Sequence, residues 1–202
     1  MKKKEIIKLP ENTKYEQLVN TSYNLFMRHG IKRISVEEIC QEAGISKMTF
    51  YKYFKNKIEL AKFVLNKIFN DQMKVYRNIM KEKTSFEKKI EKVILMKHES
   101  TEFISKEFFN DLTKNPIEEI AGLMKQFHED SIKEIMNDLK KAQKKGELRK
   151  NIKPDFIFYF LNGIQLMAED ENLSKLYSTP NELIMELTNV FFYGILSNKN
   201  VT

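Results

Sequence analysis

Apolar residues recur along this chain at spacings of three and four, with no sustained alternation of apolar and polar positions. That period belongs to helices rather than strands. Leu18, Val19, Ser22, Leu25 and Phe26 form one such stripe. A start signal repeats along the chain: Thr, Ser or Asn followed three residues later by Glu, at Thr13/Glu16, Ser35/Glu38, Asn56/Glu59, Thr84/Glu87, Asn115/Glu118 and Thr179/Glu182. Each pair can form a capping box, in which the first side chain accepts the N3 amide proton and the Glu reaches back. Pro116 and Pro180 stand where a first helical residue has no use for its N–H. Gly30 and Gly146 follow basic last turns and read as stops. The pattern predicts helices over 13–29, 35–43, 46–52, 56–82, 84–103, 105–114, 116–145, 154–171 and 180–197, hence an all-α fold.

Two of these helices are short and closely joined. "SVEEICQEA" ends at Gly44, a residue free to take the left-handed conformation of a tight turn, and Ser46 caps the next helix. Val36, Ile39, Cys40, Ala43, Ile45, Phe50 and Phe54 can pack the pair together and onto helix 13–29. This is a helix-turn-helix layout, whose second helix enters the DNA major groove. On that helix Phe50 and Phe54 share the core side, while Met48, Thr49, Lys52 and Tyr53 form the opposite strip with Tyr51 at its flank. Exposed Tyr and Lys suit phosphates; Thr49 and Met48, near the helix start, are short enough to meet base edges and thymine methyls.

Charge changes the picture in the same direction. The chain of 202 residues carries a net charge of +7, and residues 1–57 hold 12 Lys/Arg against 6 Asp/Glu, nearly all of the excess. Segregated positive charge on an otherwise neutral chain points to a polyanion partner. The N-terminal lysines read as a solvated tail, with a minor-groove arm as the functional alternative. The composition, 42% hydrophobic and 31% charged, is that of a globular protein. The longest apolar run, Phe156 to Leu161, falls well short of the ~20 residues a membrane span needs, and no signal-peptide core opens the chain. A cytoplasmic protein without membrane association is expected.

Candidate catalytic chemistry is absent from the pattern. No Gly-rich phosphate loop and no Ser/His/Asp or Cys/His arrangement with a recognisable context occurs, so no enzyme, catalytic residue or cofactor is expected. The lone Cys40 lies on an apolar face and reads as core. His98 with Glu102, and His128 with Glu129 and Asp130, do not make up a metal-ligand set.

The stretch "ISVEEICQEAGISKMTFYKYFKNKIEL" at 34–60 resembles the DNA-binding domain of the TetR (tetracycline-repressor) family of bacterial regulators, and Thr-Phe-Tyr-x-Tyr-Phe-x-x-Lys at 49–57 is its most specific element. The resemblance implies an N-terminal three-helix domain over 1–57, joined by a long helix to a larger helical ligand-binding and dimerisation domain over 58–202. "GELRKNIKPDF" at 146–156 echoes that second domain. Carried over by position, Tyr51, Tyr53 and Lys57 would contact phosphates with Lys52, and Lys47, Met48 and Thr49 would lie near bases; Ser35 is placed with this DNA-facing set. Some members read guanine with an Arg in the preceding helix, where this chain has Glu37. The implied function is a sequence-specific transcriptional regulator, a ligand-released repressor on a palindromic operator. The alternative is an adaptor of the same fold acting through protein partners, as a co-activator or nucleoid-associated factor.

Two further expectations concern the body. Its wealth of Phe and Met suits an adaptable apolar pocket, and Phe69, Met73, Met96, Phe109 and Phe127 are nominated as lining one for a lipophilic small-molecule effector. The last two helices are apolar nearly all round, which demands burial on more than one side. A homodimeric four-helix interface through Ile157, Phe158, Leu161, Ile164, Ile184, Leu187, Phe191 and Ile195 follows as the expectation.

Overall fold

The computed structural model describes residues 14–114 and 116–196, with Gln165 described by its backbone alone. The N-terminal tail and the caps at Thr13 and Asn115 lie outside the described residues. Among the described residues the regular elements are helices: α1 (Lys14–His29), α2 (Val36–Glu42), α3 (Lys47–Tyr53), α4 (Lys57–Lys81), α5 (Phe86–Thr101), α6 (Lys106–Thr113), α7 (Glu118–Lys144), α8 (Pro154–Glu169), α9 (Glu171–Lys175) and α10 (Pro180–Ile195). One antiparallel bridge, Leu148 to Leu196, ties the α7–α8 connection to the end of α10.

Local capping chemistry explains most starts. Ser35 and Glu38 form the full capping box at α2, and Asn56 and Thr179 accept the amide protons of Glu59 and Glu182. Three boundaries depart from expectation. At α5 the cap is Ser85 rather than Thr84: its hydroxyl accepts from the Lys88 amide at 3.4 Å, and Glu147 accepts from the Phe86 amide at 3.1 Å. At α7 the cap position is Ile117, with no side-chain cap, and its carbonyl takes the amides of Ile120 and Ala121. At the end of α8, Asp170 accepts from the Leu173 amide at 2.7 Å and starts the separate short helix α9.

The apolar residues gather into two cores. The first unites α1, α2 and α3 with Leu60, Ala61, Val64 and Leu65 of α4, and extends to Phe108 of α6 and Ile120 and Phe127 of α7. The second joins the far half of α4 (Met73, Tyr76, Ile79) to α5, α7, α8 and α10. Phe69 packs against both, its ring stacked on Phe127 at 4.2 Å and within 3° of parallel. At about 1.5 Å per residue, the 25 residues of α4 run some 37 Å from one core to the other. Arg77 forks onto both carboxylate oxygens of Glu134 at 2.8 and 2.9 Å, fastening α4 to α7.

Candidate nucleic-acid interface

α2 and α3 are short, and packing holds them more than propensity does. Phe50 is fully buried and Phe54 nearly so; each contributes roughly 1.5–3 kcal/mol by leaving water. The turn between the helices passes through Gly44 at φ 63°, where any other residue would be strained. Ser46 accepts from the Thr49 amide at 3.1 Å and its hydroxyl lies 3.0 Å from that of Thr49, so α3 begins sharply.

The opposite side of α3 is open. Met48 is 83% exposed and Tyr51 55%, with Lys47 and Lys52 beside them. Tyr51 sets its ring edge-on to Phe50 at 5.2 Å, which fixes an exposed ring against a buried one. Tyr53 sits edge-on to Tyr15 of α1 at 5.3 Å, and Tyr15 in turn stacks on Phe54. Thr49 is half-buried. The structure thus brings Lys47, Met48, Thr49, Tyr51, Lys52 and Tyr53 onto one small helix, with the two phenylalanines beneath.

Three candidates are engaged by partners within the protein itself. Lys47 pairs with Glu37 across the α2–α3 turn; each side chain is more than half exposed, and the pairing lowers the carboxyl's pKa and raises the ammonium's. Ser35 is occupied by the capping box: its hydroxyl donates to Glu38 at 2.7 Å and accepts from the Glu38 amide at 3.2 Å. Lys57 turns inward, donating to the carbonyls of Ile34 at 2.6 Å and Lys32 at 3.0 Å, and burial pushes its pKa down. Its charge clamps the turn between α1 and α2, and the expected outward reach to a phosphate is not the conformation it adopts here.

The body candidates separate in the same way. Phe69, Met73 and Phe127 meet between α4 and α7, and Met96 of α5 lies partly buried against the second core with Met73. Phe109 of α6 is half-buried and belongs to neither core. Of the residues expected at a dimer face, Ile157, Phe191 and Ile195 are buried inside the protomer's second core, which corrects their assignment to an outer surface. Leu161, Ile164, Ile184 and Leu187 are half-buried and Phe158 is exposed. Around them Tyr159 (75% exposed), Leu166 (69%), Val190 and Tyr193 present an apolar surface on α8 and α10 that the sequence pattern did not single out. Their spacing could not separate the inner from the outer side, because both helices are apolar on both. No described helix is long and apolar enough to cross a membrane, and no group of three His, Cys, Asp or Glu among the described residues could hold a metal ion.

Comparison with known proteins agrees with this geometry. The family model for bacterial regulatory proteins of the tetR family matches residues 18–63, from α1 into α4. The HTH-type transcriptional regulator YerO of Bacillus subtilis is 44% identical over 46 residues, a match that covers 23% of this chain and only 16% of that protein. Over nearly the whole chain the fold resembles the regulatory protein TetR from Rhodobacter sphaeroides, with a TM-score of 0.72 at 15% identity, covering 92% of this chain and all of that one. It also resembles the transcriptional regulator FadR from Bacillus subtilis in complex with stearoyl-CoA, with a TM-score of 0.64 at 15% identity, covering 90% and 99% of the two chains. The segment that matches is the one that builds the open face of α3, and the fold that matches is the helical body behind it. Residues 18–63 are therefore similar to the bacterial regulatory proteins of the tetR family, and the fold over nearly the whole chain is the one these solved regulators share.

Proposed function

We propose that the protein is a ligand-released repressor that binds a palindromic operator as a homodimer in the cytoplasm, with residues 1–57 forming the DNA-binding part and 58–202 the effector-binding and dimerisation part. The observation that carries this reading is α4. It begins directly after the exposed face of α3 and ends in the second core, so a rearrangement there shifts the reader as one body. Lys52 and the two tyrosines contact phosphates, and Lys47, Met48 and Thr49 face the bases. The apolar surface of α8 and α10 supports pairing of two copies, which sets two readers about 34–36 Å apart for successive major grooves. The likeness to a regulator solved with stearoyl-CoA, and the Phe/Met composition around Phe69, Met73 and Phe127, favour a lipophilic effector. The effector acts through its differential affinity for the two reader spacings.

The test is selection of bound duplexes from random DNA, then titration of the winner against salt for the wild type and Tyr51→Ala. A palindromic winner, a steep salt slope and a loss of tenfold or more in the variant are expected. No enrichment, with weak binding indifferent to Tyr51, would instead favour an adaptor that works through protein partners.

A further inference from the structure

The net charge of +1 on residues 58–202 hides a second segregation. Residues 139–153, the end of α7 and its connection to α8, hold seven Lys/Arg and one carboxylate. All seven cations are exposed. Lys141 pairs with Asp138, and Arg149 donates to the Gly194 carbonyl at 2.9 Å. Lys140, Lys144, Lys145, Lys150 and Lys153 have no ion pair or side-chain hydrogen bond among the described residues. The single carboxylate, Glu147, is half-buried and accepts from the Phe86 amide. That contact brings the start of α5 alongside, which adds exposed Lys83 and Lys88 against Glu87. The helix dipole accounts for cations in the last turn of α7 only. Arg149, Lys150 and Lys153 lie beyond it.

The frame under these cations is fixed. Gly146 turns the chain out of α7 at φ 74°, and the Glu147 amide returns to the Ala142 carbonyl at 3.1 Å. Gln143 Nε2 donates to the Ile152 carbonyl at 2.7 Å, and the Arg149 amide to the Ile195 carbonyl at 3.2 Å. Leu139, Ala142 and Leu148 are buried in the second core, and Ile152 is half-buried against it. The apolar side chains of this stretch therefore turn inward, and a lysine array faces solvent. Phe156, the exposed ring that follows in sequence, belongs with Val190 to the apolar surface of α8 and α10. An array of this kind has no apolar face to bury in a bilayer. It also has no aromatic anchor for a protein interface, from whose centre lysine is depleted. It suits a phosphodiester backbone, where cations displace condensed counterions and no base contact is needed.

The second core lies at the end of α4 remote from α3, some 37 Å along that helix at about 1.5 Å per residue. A duplex seated on α3 does not reach the lysine array. We propose that this far end of the body is a second duplex-DNA surface, which grips phosphates without reading bases and holds a second segment while α3 occupies the first. The bridging rests on the DNA-reading role above; the surface itself does not. A molecule already seated on DNA meets neighbouring stretches of the same duplex at high effective concentration, so a weak second grip suffices.

The test changes Lys140, Lys144, Lys145 and Lys150 together to Gln in the full chain, beside the wild type and the reader variant Tyr51→Ala/Lys52→Gln. One duplex is fixed to beads, protein is loaded, and retention of a second, labelled duplex of unrelated sequence is measured. The wild type is expected to retain the labelled duplex at about 50 mM salt and to lose most of it by about 200 mM. The four-lysine variant should load the beads through its reader and retain at least tenfold less. Its melting curve should match the wild type's, because all four side chains are exposed. Lys140→Gln with Lys150→Gln alone should give a partial loss. Undiminished retention by the four-lysine variant, or none by a wild type that loads the beads, would overturn the proposal and leave the reader intact. Binding to phosphatidylglycerol vesicles in place of the labelled duplex, lost in the four-lysine variant, would overturn it in favour of a membrane surface. Loading lost in the four-lysine variant but unchanged in Tyr51→Ala/Lys52→Gln would uphold the surface and remove the reader. A wild type that never loads the beads removes both.

Discussion

One carboxylate oxygen of Asp111, on α6, accepts hydrogen bonds from the backbone amides of Ile31 at 2.7 Å and Lys32 at 2.9 Å, just beyond the end of α1. Gly30 makes the approach possible: it sits at φ 80°, and a Cβ there would lie 2.7 Å from the same oxygen. Close by, the Ser105 amide donates to the Met27 carbonyl at 3.0 Å. The reader is therefore held twice, by the covalent run into α4 and by α6 seated on the end of α1. A shift of α6 pulls directly on the helix against which α3 packs.

Removing the second hold should loosen the reader. Asp111→Ala leaves two amides without their charged acceptor, and hydrogen bonds to charged groups are worth about 1.5–3 kcal/mol each where shielded. This site is partly exposed, so a loss of roughly 2 kcal/mol in unfolding free energy by denaturant titration is expected. Operator binding at low temperature should survive, and the response to effector should weaken.

Glu37 stands in the reader as a negative charge paired with Lys47. Glu37→Gln frees the ammonium and removes one carboxylate from the surface proposed to face phosphates. Affinity for any duplex should rise, and the slope of log affinity against log salt should steepen by about one. Filter binding over a salt series, on matched and scrambled sequences, checks this.

Lys57 is held within the fold by the two carbonyls to which its ammonium donates. Lys57→Met leaves the Ile34 and Lys32 carbonyls without their donor, and a stability loss of about 1–2 kcal/mol is expected. A phosphate-contact role alone would change DNA affinity and leave the melting temperature unmoved, so the two measurements separate the roles.

The capping box gives an acid dependence. The Ser35 amide and hydroxyl hold the Glu38 carboxyl below its ordinary pKa. A carboxyl whose pKa is lowered by folding contributes stability that is present above its unfolded value and lost as pH falls through the folded one. The wild type should therefore melt higher than Glu38→Gln at neutral pH, and the gap should close as pH drops below about 4. Melting curves of the two proteins from pH 7 to pH 3 measure it.

The outer apolar surface of α8 and α10 gives the last expectation. Leu166→Glu adds charge at an exposed position and should not disturb the protomer. In a homodimer joined there, it shifts the mass measured by light scattering at micromolar concentration toward the monomer and abolishes binding to a full palindrome.

The helices and their order, and the reader itself, were legible in the chain because the interactions that make them span four residues or fewer. Ser35, Ser46, Asn56 and Thr179 bind amides three positions on, and Phe50 and Phe54 share one side of a single turn. The reader motif is compressed enough for such local rules to describe most of it, and Tyr51 and Met48 stand exposed as their spacing implied. What the tertiary structure alone decided are the partners of charges and the sides of helices. Glu147 takes the amide at the start of α5, Glu37 takes Lys47, and two carbonyls take Lys57, at separations no periodicity encodes. Ile157, Phe191 and Ile195 went inward and Tyr159 and Leu166 outward because helices that are apolar on both sides carry no internal signal of which side meets the protomer.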